Sequence, residues 1–139
     1  ANTNGKPLSL IVCDIDKFKL VNDQHGHDVG DEVLREFSVR IRKNVRNIDL
    51  ACRYGGEEFV LIMPQTSAEN ALKALDKIRL AISEIPFYCK GKDVRVSMSF
   101  GITEFARGDD ISKAFERADQ ALYQAKDEGR NRCCVLGSG

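Results

Sequence analysis

The sequence contains no tryptophan, only 3 prolines and 7% aromatic residues, and its 139 residues carry no net charge, 21 Lys+Arg balancing 21 Asp+Glu. Balanced charge removes any overall electrostatic attraction to polyanions, so DNA binding and polybasic attachment to membranes are not expected. No stretch approaches the roughly 20 apolar residues of a bilayer crossing, and the start, Ala1 to Pro7, lacks the apolar centre of a secretory leader. The 5 cysteines are an odd number and include no C-x-x-C pair. Cys13 and Cys52 lie inside apolar runs, where a thiol behaves as a small hydrophobe. A reducing cytoplasm fits that usage better than a disulfide framework or a zinc site.

What is present is a chain of the right length for one domain, 1–139, with short flexible tails expected at 1–6 and 137–139. Leu8 to Cys13 is a short apolar run that stops at Asp14-Ile15-Asp16, as a buried central strand would. From Asp28, the residues Val29, Val33, Leu34, Phe37, Ile41 and Val45 recur at helical spacing, with acids early and bases late. Leu50 to Tyr54 and Phe59 to Met63 are separated by Gly55-Gly56-Glu57-Glu58, which predicts an antiparallel hairpin. A helix is expected from about Ala68 to Ile85, stopped by Pro86. Val94 to Ile102 alternates like a half-buried strand, and a last helix from about Ile111 to Asp127 is capped by Gly129. Cys133 to Leu136 completes the pattern as a short strand. The order predicts an α+β fold with a mostly antiparallel sheet, its helices mainly on one face and the other face free for chemistry.

Carboxylates at the ends of apolar strands are the feature that asks for chemistry. Asp14 and Asp16 end the first strand, and Glu57 and Glu58 sit at the tip of a hairpin that pairs with it if the two are neighbours. Converging carboxylates repel one another, which raises a pKa or demands a cation. Hard oxygen donors without nearby His or Cys select Mg²⁺ or Mn²⁺ over zinc. Turn-marking is the simpler explanation for a lone Asp, but it is weak for two clusters beside Gly-Gly. Lys17, Lys19, Lys126 and Arg130 supply opposite charge, although Lys126 and Arg130 also suit a helix C-terminus on dipole grounds alone. His25-Gly26-His27 reads as a loop in which capping or packing outweighs metal binding.

These residues fall into blocks. Arg53-Tyr54-Gly55-Gly56-Glu57-Glu58-Phe59, Asp14-Ile15-Asp16-Lys17-Phe18-Lys19, Asn22-Asp23, Gly26-His27-Asp28-Val29-Gly30-Asp31, Ser97-Met98-Ser99-Phe100-Gly101-Ile102 and Ala118 to Lys126 running into Gly129-Arg130-Asn131 span nearly the whole chain. Taken in their order along the chain, they resemble the GGDEF-domain diguanylate cyclases, in the GGEEF variant. The resemblance implies a polymerase-palm, nucleotidyl-cyclase-like fold and the condensation of two GTP into cyclic di-GMP with loss of two pyrophosphates. Asp14, the carbonyl of Ile15 and Glu57 would hold divalent ions, Mg²⁺ or Mn²⁺, two per GTP site. Glu57, Glu58 and Lys19 would form the catalytic group. Asn22 and Asp31 match the guanine-reading pair, Leu34 would pack on the base, and Lys19, Lys126, Arg130 and the amides around Lys17 and Phe18 would grip the triphosphate. Gly55 and Gly56 would let the nucleotide approach the hairpin backbone.

Each domain would bind one GTP, so catalysis would require a two-fold homodimer. Arg46-Asn47-Ile48-Asp49 fits the family's R-x-x-D motif, with Arg46 and Asp49 as an inhibitory product site; outside this framework such a pattern is usually a surface ion pair. The family's D-x-L-T-x-L-x-N-R segment has no counterpart before Leu8, so the chain is expected to be a catalytic domain lacking that segment, with a sensor or receiver domain in the full-length chain. The rival readings are a domain that binds cyclic di-GMP without making it, and a related cyclase with relaxed base choice.

Overall fold

In a computed structural model, the apolar run at the start of the sequence becomes the middle strand of the sheet. The structure describes residues 7–45, 48–54, 58–84, 86–89 and 91–137, with the backbone alone described for 49–54 and 92. The elements run β1 (Leu8–Ile15), α1 (Phe18–His25), α2 (His27–Asn44), β2 (Asp49–Tyr54), β3 (Glu58–Pro64), α3 (Ala68–Glu84), β4 (Phe87–Cys89), β5 (Lys92–Val94), β6 (Met98–Glu104), α4 (Ile111–Asp127) and β7 (Cys133–Val135). Five strands form one sheet in the order β2-β3-β1-β6-β7, and β4 and β5 form a small separate hairpin. β1 pairs antiparallel with both β3 and β6, β2 pairs antiparallel with β3, and β7 joins β6 in parallel. The sequence's expectation of a mostly antiparallel sheet with a central hairpin holds. Of the tails expected at 1–6 and 137–139, all but Gly137 lie outside the described residues.

Side chains alternate across a strand, so β1 feeds two cores. Ile11, Cys13 and Ile15 point into the larger one, with Phe37 of α2, Leu75 and Ile78 of α3 and Phe59 of β3. Leu10 and Val12, with Val60, meet Ala114, Ala118 and Leu122 of α4 on the opposite face. Three helices thus share one face, but the other is not free for chemistry as expected; α4 covers it.

The strand expected from Val94 to Ile102 is also revised. Val94 ends β5, residues 95–97 are irregular, and β6 begins at Met98 with its first six residues all buried. Its small residues mislead because they pack against α4. A Cβ on Gly101 would lie 2.1 Å from the carbonyl oxygen of Ala118 and 2.3 Å from the amide nitrogen of Leu122. The missing side chain therefore sets how closely α4 lies on the sheet, and with it the position of the side chains near that helix's C-terminus.

Two elements had no expectation. Helix α1 is only 8 residues long, too short for apolar periodicity to register. The β4–β5 hairpin turns around Gly91, whose φ is +77°, and buries Phe87 and Cys89. The guanidinium of Arg40 stacks over Phe87 at 3.7 Å and donates to the carbonyls of Ala81 and Pro86, tying α2 to the end of α3.

Candidate functional site

The C-terminal end of β1 delivers the first carboxylate. Asp14 is paired in register with Glu58 on one side and Ser99 on the other, and Glu58 is paired with Tyr54. The end of β1 therefore lies beside the first residue of β3. Gly55, Gly56 and Glu57 lie outside the described residues, as does Arg46; Asp49 opens β2, and only its backbone is described.

Asp14 is buried, and its Oδ1 has no hydrogen-bond partner among the described residues. Its Oδ2 is paired with the ammonium of Lys126 from the last turn of α4. Burial pushes the Asp14 carboxyl up to about 6, Lys126 pulls it back down, and Asp16 and Glu58 add repulsion. A half-satisfied buried carboxylate beside a second carboxylate position is an arrangement that a hard divalent cation would complete. The donor set also suits such an ion, since carboxylate oxygens and the carbonyl of Ile15, which follows directly in the chain, are hard ligands.

Asp16 behaves differently. Its Oδ1 accepts a 2.6 Å hydrogen bond from Ser99, and its Oδ2 accepts from Ser97 at 2.6 Å and from the backbone N–H of Asn131 at 3.0 Å. This carboxylate pins β6 and the turn after α4 to the β1–α1 turn, and its lone pairs are largely committed. Sequence reading placed it in the same acidic cluster as Asp14. The serines at 97 and 99 were the available signal, since two hydroxyls at i, i+2 on one strand edge can serve a single carboxylate.

The β1–α1 turn carries Lys17 with φ +54°, and α1 starts without a side-chain cap. Its first N–H groups are left for other acceptors. The Phe18 side chain sits in the larger core, so only its backbone serves the turn. Lys17 and Lys19 are exposed. Across the α1–α2 corner, a Cβ on Gly30 would fall 2.0 Å from Oδ1 of Asn22. Gly30 thus makes room for the Asn22 amide beside α2, next to Asp31, which is exposed, and one turn before Leu34, which is buried. The sequence singled out Asn22, Asp31 and Leu34 but assigned no part to Gly30.

Lys126 and Arg130 separate. Helix α4 ends with the N–H of Gly129 bonded to the carbonyl of Lys126 and that of Arg130 to the carbonyl of Ala125. These two bonds form a Schellman cap, with Gly129 at φ +121°. Lys126 points to Asp14, whereas Arg130 is exposed beyond the cap. Burial pushes the Cys133 thiol up to about 12 and raises that of Cys13 well above its ordinary value, which disfavours the nucleophilic thiolate at both. Among the described residues no cluster of His, Cys, Asp and Glu has metal-site geometry, and no helix is long and apolar enough to cross a membrane.

Known proteins share this architecture and sequence. The family described as "Diguanylate cyclase, GGDEF domain" matches residues 1–132. The response regulator PleD of Caulobacter vibrioides is 49% identical over 134 residues, which cover 94% of this chain and 30% of PleD. Among solved structures, the active GGEEF domain of a diguanylate cyclase from Vibrio cholerae superposes with a TM-score of 0.83 at 40% identity, covering 94% of this chain and 83% of that one. The GGDEF domain of DgcB from Caulobacter crescentus, in complex with c-di-GMP, gives 0.86 at 36% identity, covering 94% and 78%. The chain spans about a third or less of the length of PleD, so these likenesses concern one domain of a longer relative. With nearly its whole length matched in sequence and in fold, the chain belongs to the GGDEF-domain family of diguanylate cyclases.

Proposed function

We propose that the chain condenses two GTP molecules into cyclic di-GMP and two pyrophosphates, acting as a two-fold dimer. The observation that carries this reading is the buried Asp14, with one oxygen unpartnered, paired in register with Glu58 and held by Lys126. Asp14, the carbonyl of Ile15 and Glu57 would hold Mg²⁺ or Mn²⁺, two ions per nucleotide, with Glu58 in support. Bound there, a divalent ion neutralises phosphate charge and lowers the pKa of an attacking hydroxyl.

The remaining roles belong to the chain itself. Asp31 accepts from the guanine N1 and N2 hydrogens while the Asn22 amide meets another edge of the base, and Leu34 packs beneath it. Lys19, the N–H groups of the β1–α1 turn and Arg130 hold the phosphates. Lys126 pairs with Asp14, and with a cation held on that carboxylate its ammonium would be available to the triphosphate. Gly55 and Gly56, having no side chains, would let the nucleotide approach the hairpin backbone. Arg46 and Asp49 form an inhibitory product site. The rival reading, a domain that binds cyclic di-GMP without making it, would rest on those two residues alone.

The test is incubation with GTP and Mg²⁺, with products read by mass spectrometry. Cyclic di-GMP is expected from the wild type and lost in Asp14→Asn and Glu57→Gln. Undiminished synthesis by both variants refutes the metal assignment. Calorimetry with cyclic di-GMP on the wild type and Arg46→Ala examines the inhibitory site, since equal affinities eliminate it.

A further inference from the structure

A cleft of about 500 Å³ opens beside the β1–α1 turn, between α1, the loop from β5 to β6 and the turn that follows α4. Three cations line it, one from each segment: Lys17, Arg95 and Arg130. The single carboxylate among its described residues, Asp16, is engaged by Ser97, Ser99 and the N–H of Asn131. None of the three cations makes an ion pair among the described residues, whereas Arg79, Arg117 and Arg132 are paired with Asp76, Asp109 and Glu128. His25 adds an imidazole to the wall, and its covered Nδ1 has no hydrogen-bond partner among the described residues. The lining is therefore cationic in a protein whose total charge is zero.

The backbone supplies an independent sign. Of the four described non-glycine residues with positive φ, Lys17, Arg130 and Asn131 all line this cleft. Each such conformation costs on the order of 1 kcal/mol and persists only where the surrounding structure enforces it, which is characteristic of ligand clamps. Here the enforcement is visible: the Schellman cap sets Arg130, and Asp16 fixes Asn131.

We infer that this cleft is a second anion site that takes inorganic pyrophosphate, with Arg95 as the cation that belongs to it alone. Arg130 and the backbone at Lys17 are shared with the triphosphate position proposed above, so the cleft adjoins the place where pyrophosphate departs. The affinity of the cleft follows from its own lining; the source of the pyrophosphate rests on the cyclase reading.

Two titrations followed by calorimetry test this, one with inorganic pyrophosphate in metal-free buffer and one with 3′-deoxy-GTP and Mg²⁺, a nucleotide that lacks the attacking hydroxyl. Arg95→Ala, at an exposed position, is expected to weaken pyrophosphate about tenfold, the effect of one lost charge-assisted contact, and to leave 3′-deoxy-GTP unchanged. Arg130→Ala is expected to weaken both. The inference is overturned if the wild type does not bind pyrophosphate, if Arg95→Ala binds it as the wild type does, or if Arg95→Ala weakens both ligands equally, which would make the cleft part of the triphosphate position. Failure of the cyclase reading shows separately, as absence of cyclic di-GMP in the synthesis assay while pyrophosphate binding still depends on Arg95.

Discussion

Asp14 and Gly30 are the residues at which the site can be interrogated most directly. The Asp14 carboxyl titrates near 6 in the folded protein against an ordinary value of 3.8. Its folded pKa is raised, so the folded state holds the proton more tightly than the unfolded chain. Below about pH 4 the two states are protonated alike; as pH rises through 6 the ionised group costs stability. In metal-free buffer at pH 7, Asp14→Asn is therefore expected to be more stable than the wild type by about 1 kcal/mol, after discounting for solvent screening. The gain is expected to vanish at pH 3. Thermal melts at the two pH values check this, and a loss of stability at pH 7 would contradict it. Mg²⁺ with nucleotide is expected to raise the melting temperature of the wild type and not of the variant.

Gly30→Ala has the opposite logic. Alanine gains up to about 1 kcal/mol in helix propensity, but its Cβ would occupy the space of the Asn22 amide. The amide is the end of a flexible side chain, so it swings aside and the fold survives. The expected result is a near-normal melting temperature with KM for GTP raised about tenfold, as when a hydrogen bond to the base is lost. Unchanged KM would mean that Asn22 does not read the base.

At the scale of elements, the legible parts were those with a strong local signal: the apolar run of β1, the paired glycines between β2 and β3, and the helical periodicity of α2, α3 and α4. Asp14 was legible because a carboxylate ending an apolar strand is conspicuous. The separate task of Asp16 was not, since it depends on Ser97 and Ser99 approaching across the sheet from more than eighty residues away. Helix α1 and the β4–β5 hairpin are too short for periodicity, and Gly101 concealed the burial of β6 because tight packing against α4 needs no bulk. Roles for Glu57, Asn22, Asp31 and Arg46 came from family resemblance, not from spacing.

The loop between β6 and α4 shows how one ion pair fixes an element. Arg117 of α4 bonds both oxygens of Asp109, at 2.7 and 3.2 Å, and also reaches Thr103 and the carbonyl of Glu104. The bonds from Arg117 and, after them, the one from the backbone N–H of Ala106 hold the Asp109 carboxyl down at about 2. A depressed pKa gives stability that is fully present above about pH 4 and is lost as pH falls toward 2. Asp109→Asn is expected to lose about 1 kcal/mol at pH 7, discounted for solvent near the loop, with the difference closing below pH 3. Denaturant unfolding at both pH values decides this; a constant difference would assign the effect to packing.

For the whole molecule, the decisive fact is that the described chain presents one carboxylate centre, at the end of β1 beside the start of β3. Cyclic di-GMP has two phosphodiester bonds related by a two-fold axis, so in the proposed reaction two chains facing each other would contribute one nucleotide and one centre apiece. At low protein concentration the rate is then expected to rise with the square of that concentration, and to become linear once dimers saturate. A mixture with excess Asp14→Asn discriminates further. A heterodimer retains one working centre and closes one bond, so the linear guanosine dinucleotide carrying a 5′-triphosphate accumulates while cyclic product falls. Mass spectrometry separates the two species. A rate strictly proportional to protein at every concentration, with no linear product in the mixture, would place both bonds at a single chain and end the dimer reading.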